Sequence, residues 1–153
     1  MPSSLFSIAF YQKACTFSLW PMHIHPALFI AQIPQKGKGV FTAVDLEADL
    51  EIELSPVVVL SGKDRPFLDQ TRLHDYIFEW NPEDVQGCCM ALGWVPIYNH
   101  SYTSNCEYEM DYDAETISIK TVRAVAAGEE LTINYNGDWN DPSPVWFEVR
   151  NEG

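Results

Sequence analysis

The apolar runs of this chain are short, and turn-forming residues cut them every few positions. Residues 27–33 (ALFIAQI) make a β-like run that gives way to Pro34-Gln35-Lys36-Gly37-Lys38-Gly39, a turn with two glycines. An extended pattern resumes at 40–44 (VFTAV) and yields to acidic turn material at 45–49. Residues 51–54 and 57–60 read as two strands broken at Ser55-Pro56, because proline cannot donate to a strand ladder. Such spacing predicts small antiparallel sheets. Residues 66–73 (PFLDQTRL) suit a short helix opened by proline, and 76–80 (YIFEW) look extended until Asn81-Pro82. Residues 88–99 are apolar but aperiodic, with Gly93 and Pro96 inside them, the mark of a buried irregular segment that often carries function. From 106 to 112 the chain alternates cleanly, with Tyr108, Met110 and Tyr112 on one face and Glu107, Glu109 and Asp111 on the other. A turn at Asp113-Ala114-Glu115 and a β-branched run at 116–122 complete a predicted hairpin. Another turn, Gly128-Glu129-Glu130, precedes a strand at 131–135. The expected fold is mainly β, with little helix.

A length of 153 residues suits one domain with one core. With 9 basic against 22 acidic residues the formal charge is -13. That field repels nucleic acid and anionic membranes and attracts basic ligands, including Lys-rich protein tails. Neither nucleic acid nor membrane is therefore an expected direct partner; oligomeric state is not written in the sequence. Cys15, Cys88, Cys89 and Cys106 include no C-x-x-C spacing, so neither a metal nor a disulfide scaffold is expected. Reduced thiols in a cytoplasmic protein fit better. His23 and His25 form an H-x-H pair without an evident third ligand and read as surface histidines. The first 20 residues are apolar but interrupted, too short in their runs to span a bilayer and without the basic start of a signal peptide. Met22 stands just before the first convincing strand, which marks residues 1–21 as an extension or an upstream start.

Two segments concentrate polar chemistry. Asn99-His100-Ser101-Tyr102-Thr103-Ser104-Asn105-Cys106 reads as a glycosylation acceptor, as a polar turn, or as a dense set of donors and acceptors for a polar ligand. Gly128-Glu129-Glu130-Leu131-Thr132-Ile133-Asn134-Tyr135 is, by pattern alone, a turn and a strand ending in a packing tyrosine. Together, in this order and about thirty residues apart, they resemble the two signature stretches of SET-domain protein-lysine methyltransferases, N-H-S-C-x-P-N and G-E-E-L-T-x-x-Y. Gly37-Lys38-Gly39 matches the G-x-G near the start of that domain. The likeness runs from about residue 27 to 136 and is closer to the short stand-alone viral and bacterial forms.

The resemblance implies a SET fold of β-clip type, small sheets around a knot-like crossing of the two segments. It implies an N-terminal extension at 1–26, a SET domain at 27–136 and an aromatic tail at 137–153 that completes the cofactor site. S-adenosylmethionine would be the methyl donor, with Gly37, Lys38 and Gly39 against its methionine part, Asn99 on its amino group and the main chain of His100 on the adenine. Trp139 would pack on the adenine, with Trp146 and Phe147 as alternatives. Tyr135 would be the catalytic tyrosine beside the transferred methyl, and Tyr76, Tyr108 and Ile133 would line the substrate channel. The sequence departs from the family pattern at Ser104 for proline, Asp49 for glycine, and Ile133-Asn134 for an aromatic and an aspartate, and it lacks the zinc-binding cysteines after Tyr135.

The chemistry asks for such a site. A lysine amine of pKa about 10.4 is protonated in water and cannot attack until a dry channel lowers that value. The donor is a cationic sulfonium, and tyrosine faces and oxygens can stabilise the spreading charge. The expected function is transfer of a methyl group to a lysine of a basic protein or peptide. The competing readings are an inactive SET-fold module that binds basic peptides and an acidic scaffold protein.

Overall fold

The computed structural model describes residues 22–34 and 36–145. The described residues form ten strands: β1 His23–Ile24, β2 Leu28–Ile33, β3 Gly37–Thr42, β4 Glu51–Leu60, β5 Phe78–Glu79, β6 Cys88–Ala91, β7 Asn99–His100, β8 Cys106–Asp111, β9 Thr116–Thr121 and β10 Glu130–Ile133. One sheet runs β5-β6-β4-β9-β8, with β1 also on β4, and the other runs β2-β3-β10-β7. The expectation of a mainly β fold with little helix is met. No described helix is long and apolar enough to cross a membrane.

β2 and β3 pair without a break from Leu28↔Thr42 to Ile33↔Gly37, so β3 starts at Gly37 and not at Val40 as the turn residues suggested. Ladder pairing with Gln32 and Ile33 outweighs the turn propensity of Lys38 and the glycines. The predicted break at Pro56 is also absent: β4 is one strand of ten residues. Its first half, through Pro56, pairs with β9, and Val57–Leu60 pairs with β6. Proline thus stands where the strand changes partners, and its carbonyl accepts from Leu92 N–H at 3.0 Å. β1 lies inside the stretch read as an extension and pairs with Glu53 and Leu54 of β4.

The expected helix over 66–73 is a single turn, α1 Arg65–Leu68, followed by a 3₁₀ turn Arg72–Tyr76. Thr71 divides them: its hydroxyl donates to Leu68 O (2.8 Å) and accepts from Leu73 N–H (3.1 Å). Only Phe78 and Glu79 of the predicted extended stretch are strand. The β8–β9 hairpin forms in full register from Cys106↔Thr121 to Asp111↔Thr116. Asp49 takes the left-handed conformation at φ 61°.

The core lies between the sheets. Val40, Ile52, Ile117, Ile119, Leu131 and Ile133 are fully buried there, as strand alternation points them inward. Cys88, Cys89 and Cys106 are free and buried, and burial pushes the Cys89 and Cys106 thiols up to about 12, so they pack as small apolar groups. Cys15 lies outside the described residues. His23 approaches Glu51 at 3.7 Å, and His25 Nδ1 accepts from Ala27 N–H.

Residues 88–99 are more ordered than their aperiodicity suggested: β6, a turn at Gly93, a 3₁₀ turn Val95–Ile97, then β7. A Cβ at Gly93 would fall 1.9 Å from Ser55 Oγ and 2.4 Å from Glu53 Oε1. Gly93→Ala should therefore destabilise the fold by about 1–3 kcal/mol through overpacking. Urea unfolding measures it, and wild-type stability would mean that the segment shifts aside freely.

Candidate active site

The two polar segments meet as a parallel pair. Asn99 sits opposite Thr132 and His100 opposite Ile133. The pair is too short to hold itself, and side chains extend it. Asn105 Oδ1 accepts from Thr132 N–H (2.8 Å), and its Nδ2 donates to Glu130 O (2.7 Å), as a neighbouring strand would. His100 Nδ1 accepts from Tyr135 N–H at 3.2 Å, and Ser101 N–H donates to Ile133 O at 3.0 Å. The His100 ring also packs on Tyr102 and Tyr135, at 4.4 and 5.2 Å between centroids.

Two cavities open on this junction. The first, about 620 Å³, is lined by Lys36, Asn99, His100, Ser101, Tyr102, Thr103 and Tyr135. Asn99 Nδ2 donates to Glu130 Oε1 (2.7 Å) and Lys38 O (3.1 Å). Both partners can only accept, so the amide nitrogen must face them. Oδ1 is then the group that Asn99 offers a ligand, an acceptor suited to an ammonium. Gly39 makes this possible: a Cβ there would lie 2.8 Å from Glu130 Oε1 and 3.0 Å from Asn99 Nδ2. Gly37 has φ 92°, open to glycine. Lys38 and Gly39 thus shape the Asn99 position, and neither they nor Gly37 line this cavity.

Hydrogen bonds tie the tail to both segments. Ser104, which departs from the signature pattern, is buried, with its hydroxyl 2.8 Å from Cys106 O and 3.0 Å from Trp139 O. Asn134, which departs from the signature pattern, donates through Nδ2 to Asp141 O at 2.7 Å, a bond that a carboxylate could not make. Trp139 is 41% exposed and stands outside the cavity wall. Trp146 and Phe147 lie outside the described residues.

The second cavity, about 380 Å³, is walled by Phe78, Val95, Tyr98, Tyr108, Met110 and Tyr135, with Arg65, His74, Asp75 and Glu79 also on its lining. Tyr135 belongs to both cavities. Its hydroxyl donates to Tyr98 O at 2.9 Å. Burial, with the neighbouring Tyr76, pushes the Tyr135 phenol up to about 12, and burial with Glu79 does the same for Tyr108. Phe78 sets the Tyr108 ring edge-to-face at 5.5 Å. Tyr76 is 45% exposed, beside Tyr135 but outside the cavity lining. Ile133 differs from the expectation of a channel residue: it is fully buried in the core, because alternation along β10 turns it inward with Leu131. Sequence reasoning missed Tyr98, Phe78 and the Asn105 and Glu130 contacts. Met110 was legible as sharing the Tyr108 face.

Two cavities thus meet at one partly buried tyrosine. The SET domain family model matches residues 37–136, and the chain belongs to the SET-domain family. It is 35% identical over 126 residues, 82% of this chain and 80% of the relative, to a histone-lysine N-methyltransferase specific for H3 lysine-37 of Schizosaccharomyces pombe. It is 27% identical to histone-lysine N-methyltransferase SETD7 of Halocynthia roretzi and 31% identical to human histone-lysine N-methyltransferase 2D. Those matches cover 77% and 74% of this chain but only 35% and 2% of the relatives. The crystal structure of a histone methyltransferase candidate of Plasmodium falciparum shares the fold at TM-score 0.59 and 22% identity, over 77% of this chain and all of that one. The family match and these relatives support lysine methyltransferase activity.

Tyr135 should remain a neutral phenol across the working pH range. The difference in phenolate absorbance between wild type and Tyr135→Phe should stay flat until the pH nears about 12. A Tyr135 signal near the ordinary tyrosine value of about 10 would remove burial as the controlling cause.

Proposed function

We propose that this chain transfers a methyl group from S-adenosylmethionine to a lysine side chain of a basic protein. The observation that carries the reading is the place of Tyr135 on the walls of both cavities. S-adenosylmethionine supplies a methyl group on a cationic sulfonium. Asn99 fits that donor: with Nδ2 engaged, Oδ1 can accept from its ammonium. The second cavity fits the lysine. Where Phe78, Val95, Tyr98, Tyr108 and Met110 face it, desolvation favours the uncharged amine, while Asp75 and Glu79 on the same lining attract a cationic side chain. Tyr135 then orients that amine. Its proton is engaged by Tyr98 O, so the phenol oxygen offers only lone pairs, which suits a centre where positive charge develops. In-line placement of amine and methyl does much of the rest.

The net charge of -13, with Asp75 and Glu79 on the second cavity, favours a substrate basic around its lysine. The histone names of the relatives agree with such a substrate. An inactive peptide-binding module has no use for the Asn99 cavity, and an acidic scaffold has no use for either.

The decisive experiment incubates the protein with labelled S-adenosylmethionine and a mixture of basic proteins, core histones among them. Label on lysine is expected. A folded protein that is stabilised by S-adenosylmethionine yet labels nothing would instead be the binding module. Asn99→Ala should weaken S-adenosylmethionine binding about tenfold or more by calorimetry, since a charge-assisted hydrogen bond is worth roughly 1.5–3 kcal/mol; unchanged affinity with the fold intact would remove Asn99 from the donor site. Tyr135→Phe keeps the ring and should lower kcat by about 10²–10³, with much less effect on donor binding. Near-normal turnover would shift the role to Tyr108.

A further inference from the structure

Glu53 is the one fully buried carboxylate among the described residues, and the chemistry above gives it no part. It projects inward from β4 and reaches a segment about forty positions away in sequence. Its Oε1 accepts from Ser55 Oγ (2.8 Å), Trp94 N–H (2.6 Å) and Val95 N–H (3.0 Å). The same carboxylate neighbours the Tyr98 phenol, and burial together with the Glu53 charge holds that phenol's ionisation far up. Glu53 therefore grips the segment at its start, through two backbone N–H groups, and its charge is felt at the segment's end by the Tyr98 phenol. Between those points lies the 3₁₀ turn Val95–Ile97.

That segment builds part of the second cavity through Val95 and Tyr98, and Tyr98 O receives the Tyr135 hydroxyl. It continues directly into Asn99 and His100 on the first cavity. Gly93 admits the carboxylate, since any side chain there would collide with Glu53 and Ser55. A neutral amide could accept from the same two N–H groups with a smaller desolvation cost. Burial raises the Glu53 pKa above its ordinary value, while the donors from Ser55, Trp94 and Val95 favour the charged form. To a carboxylate those hydrogen bonds are shorter and stronger than to an amide, and they converge where a small backbone shift would move the Tyr98 carbonyl.

We propose that Glu53 is a positioning residue: through Trp94, Val95 and Tyr98 it fixes the carbonyl that orients the Tyr135 hydroxyl, and so sets the rate of methyl transfer without touching donor or substrate. The kinetic part of this rests on the methyltransferase reading above. Glu53→Gln keeps the side chain's shape and one acceptor oxygen, so the protein should fold.

The test is a double-mutant cycle of Glu53→Gln and Tyr135→Phe in the full chain, with S-adenosylmethionine as donor and core histones, or the best basic acceptor found, as substrate. In the wild-type background Glu53→Gln should lower kcat by about tenfold and change the donor KM by less than about twofold. In the Tyr135→Phe background it should change kcat by less than about twofold, because the hydroxyl it serves is gone. Equal losses in both backgrounds would overturn the proposal and leave Glu53 a support of the fold. A second readout needs no turnover. In protein labelled at the tyrosine ring carbon that bears the hydroxyl, the NMR signal of Tyr135 should move in Glu53→Gln, and a signal left in place overturns the link from Glu53 to Tyr135. Wild-type protein that methylates no acceptor would sink the methyltransferase reading instead, and the NMR result would then decide the positioning link alone.

Discussion

The parallel contact between β7 and β10 is the constraint on which the rest of this molecule depends. Two residue pairs, Asn99 with Thr132 and His100 with Ile133, are far too few to hold strands together by ladder bonds alone. Side chains supply what the ladder lacks. Asn105 imitates a strand edge toward Thr132 and Glu130, and His100 receives the Tyr135 amide. Each bond adds modest net stability, but each also satisfies a buried backbone group that would otherwise be costly. The polar side chains of the first segment thus have a structural task before any chemical one.

From that junction the site follows with little freedom. Once His100 holds the amide of Tyr135 and Tyr98 holds its hydroxyl, the ring is fixed at both ends. Fixed there, it forms a shared wall between a polar cavity and an aromatic one. The polar cavity gains its acceptor because Glu130 and Lys38 occupy the Asn99 amide nitrogen, and Gly39 leaves room for that. In the aromatic cavity burial raises the Tyr135 and Tyr108 phenols to about 12, and Arg65, His74, Asp75 and Glu79 complete its lining.

Departures from the family pattern acquire physical reasons in this setting. Serine at 104 keeps a hydroxyl that reaches carbonyls in both the first segment and the tail, which proline could not do. Asparagine at 134 donates to Asp141 O, a bond closed to aspartate. Asp49 accepts the left-handed conformation that glycine would take without strain.

By itself the sequence determined the class of fold, the β8–β9 hairpin, the polar segments and the residues Asn99, His100, Tyr108 and Tyr135. These are properties of alternation, turn chemistry and motif spacing, which act over a few residues and can be read along the chain. Only the tertiary structure decided that β4 runs through Pro56, because its continuity comes from two different partner strands. Only it placed Ile133 in the core, a matter of which face of β10 turns inward. The grip of Glu53 on Trp94 and the bond of Tyr135 to the Tyr98 carbonyl join residues about forty positions apart. Backbone carbonyls carry no residue identity, and sheet register decides which distant groups face one another, so no local pattern could announce either contact.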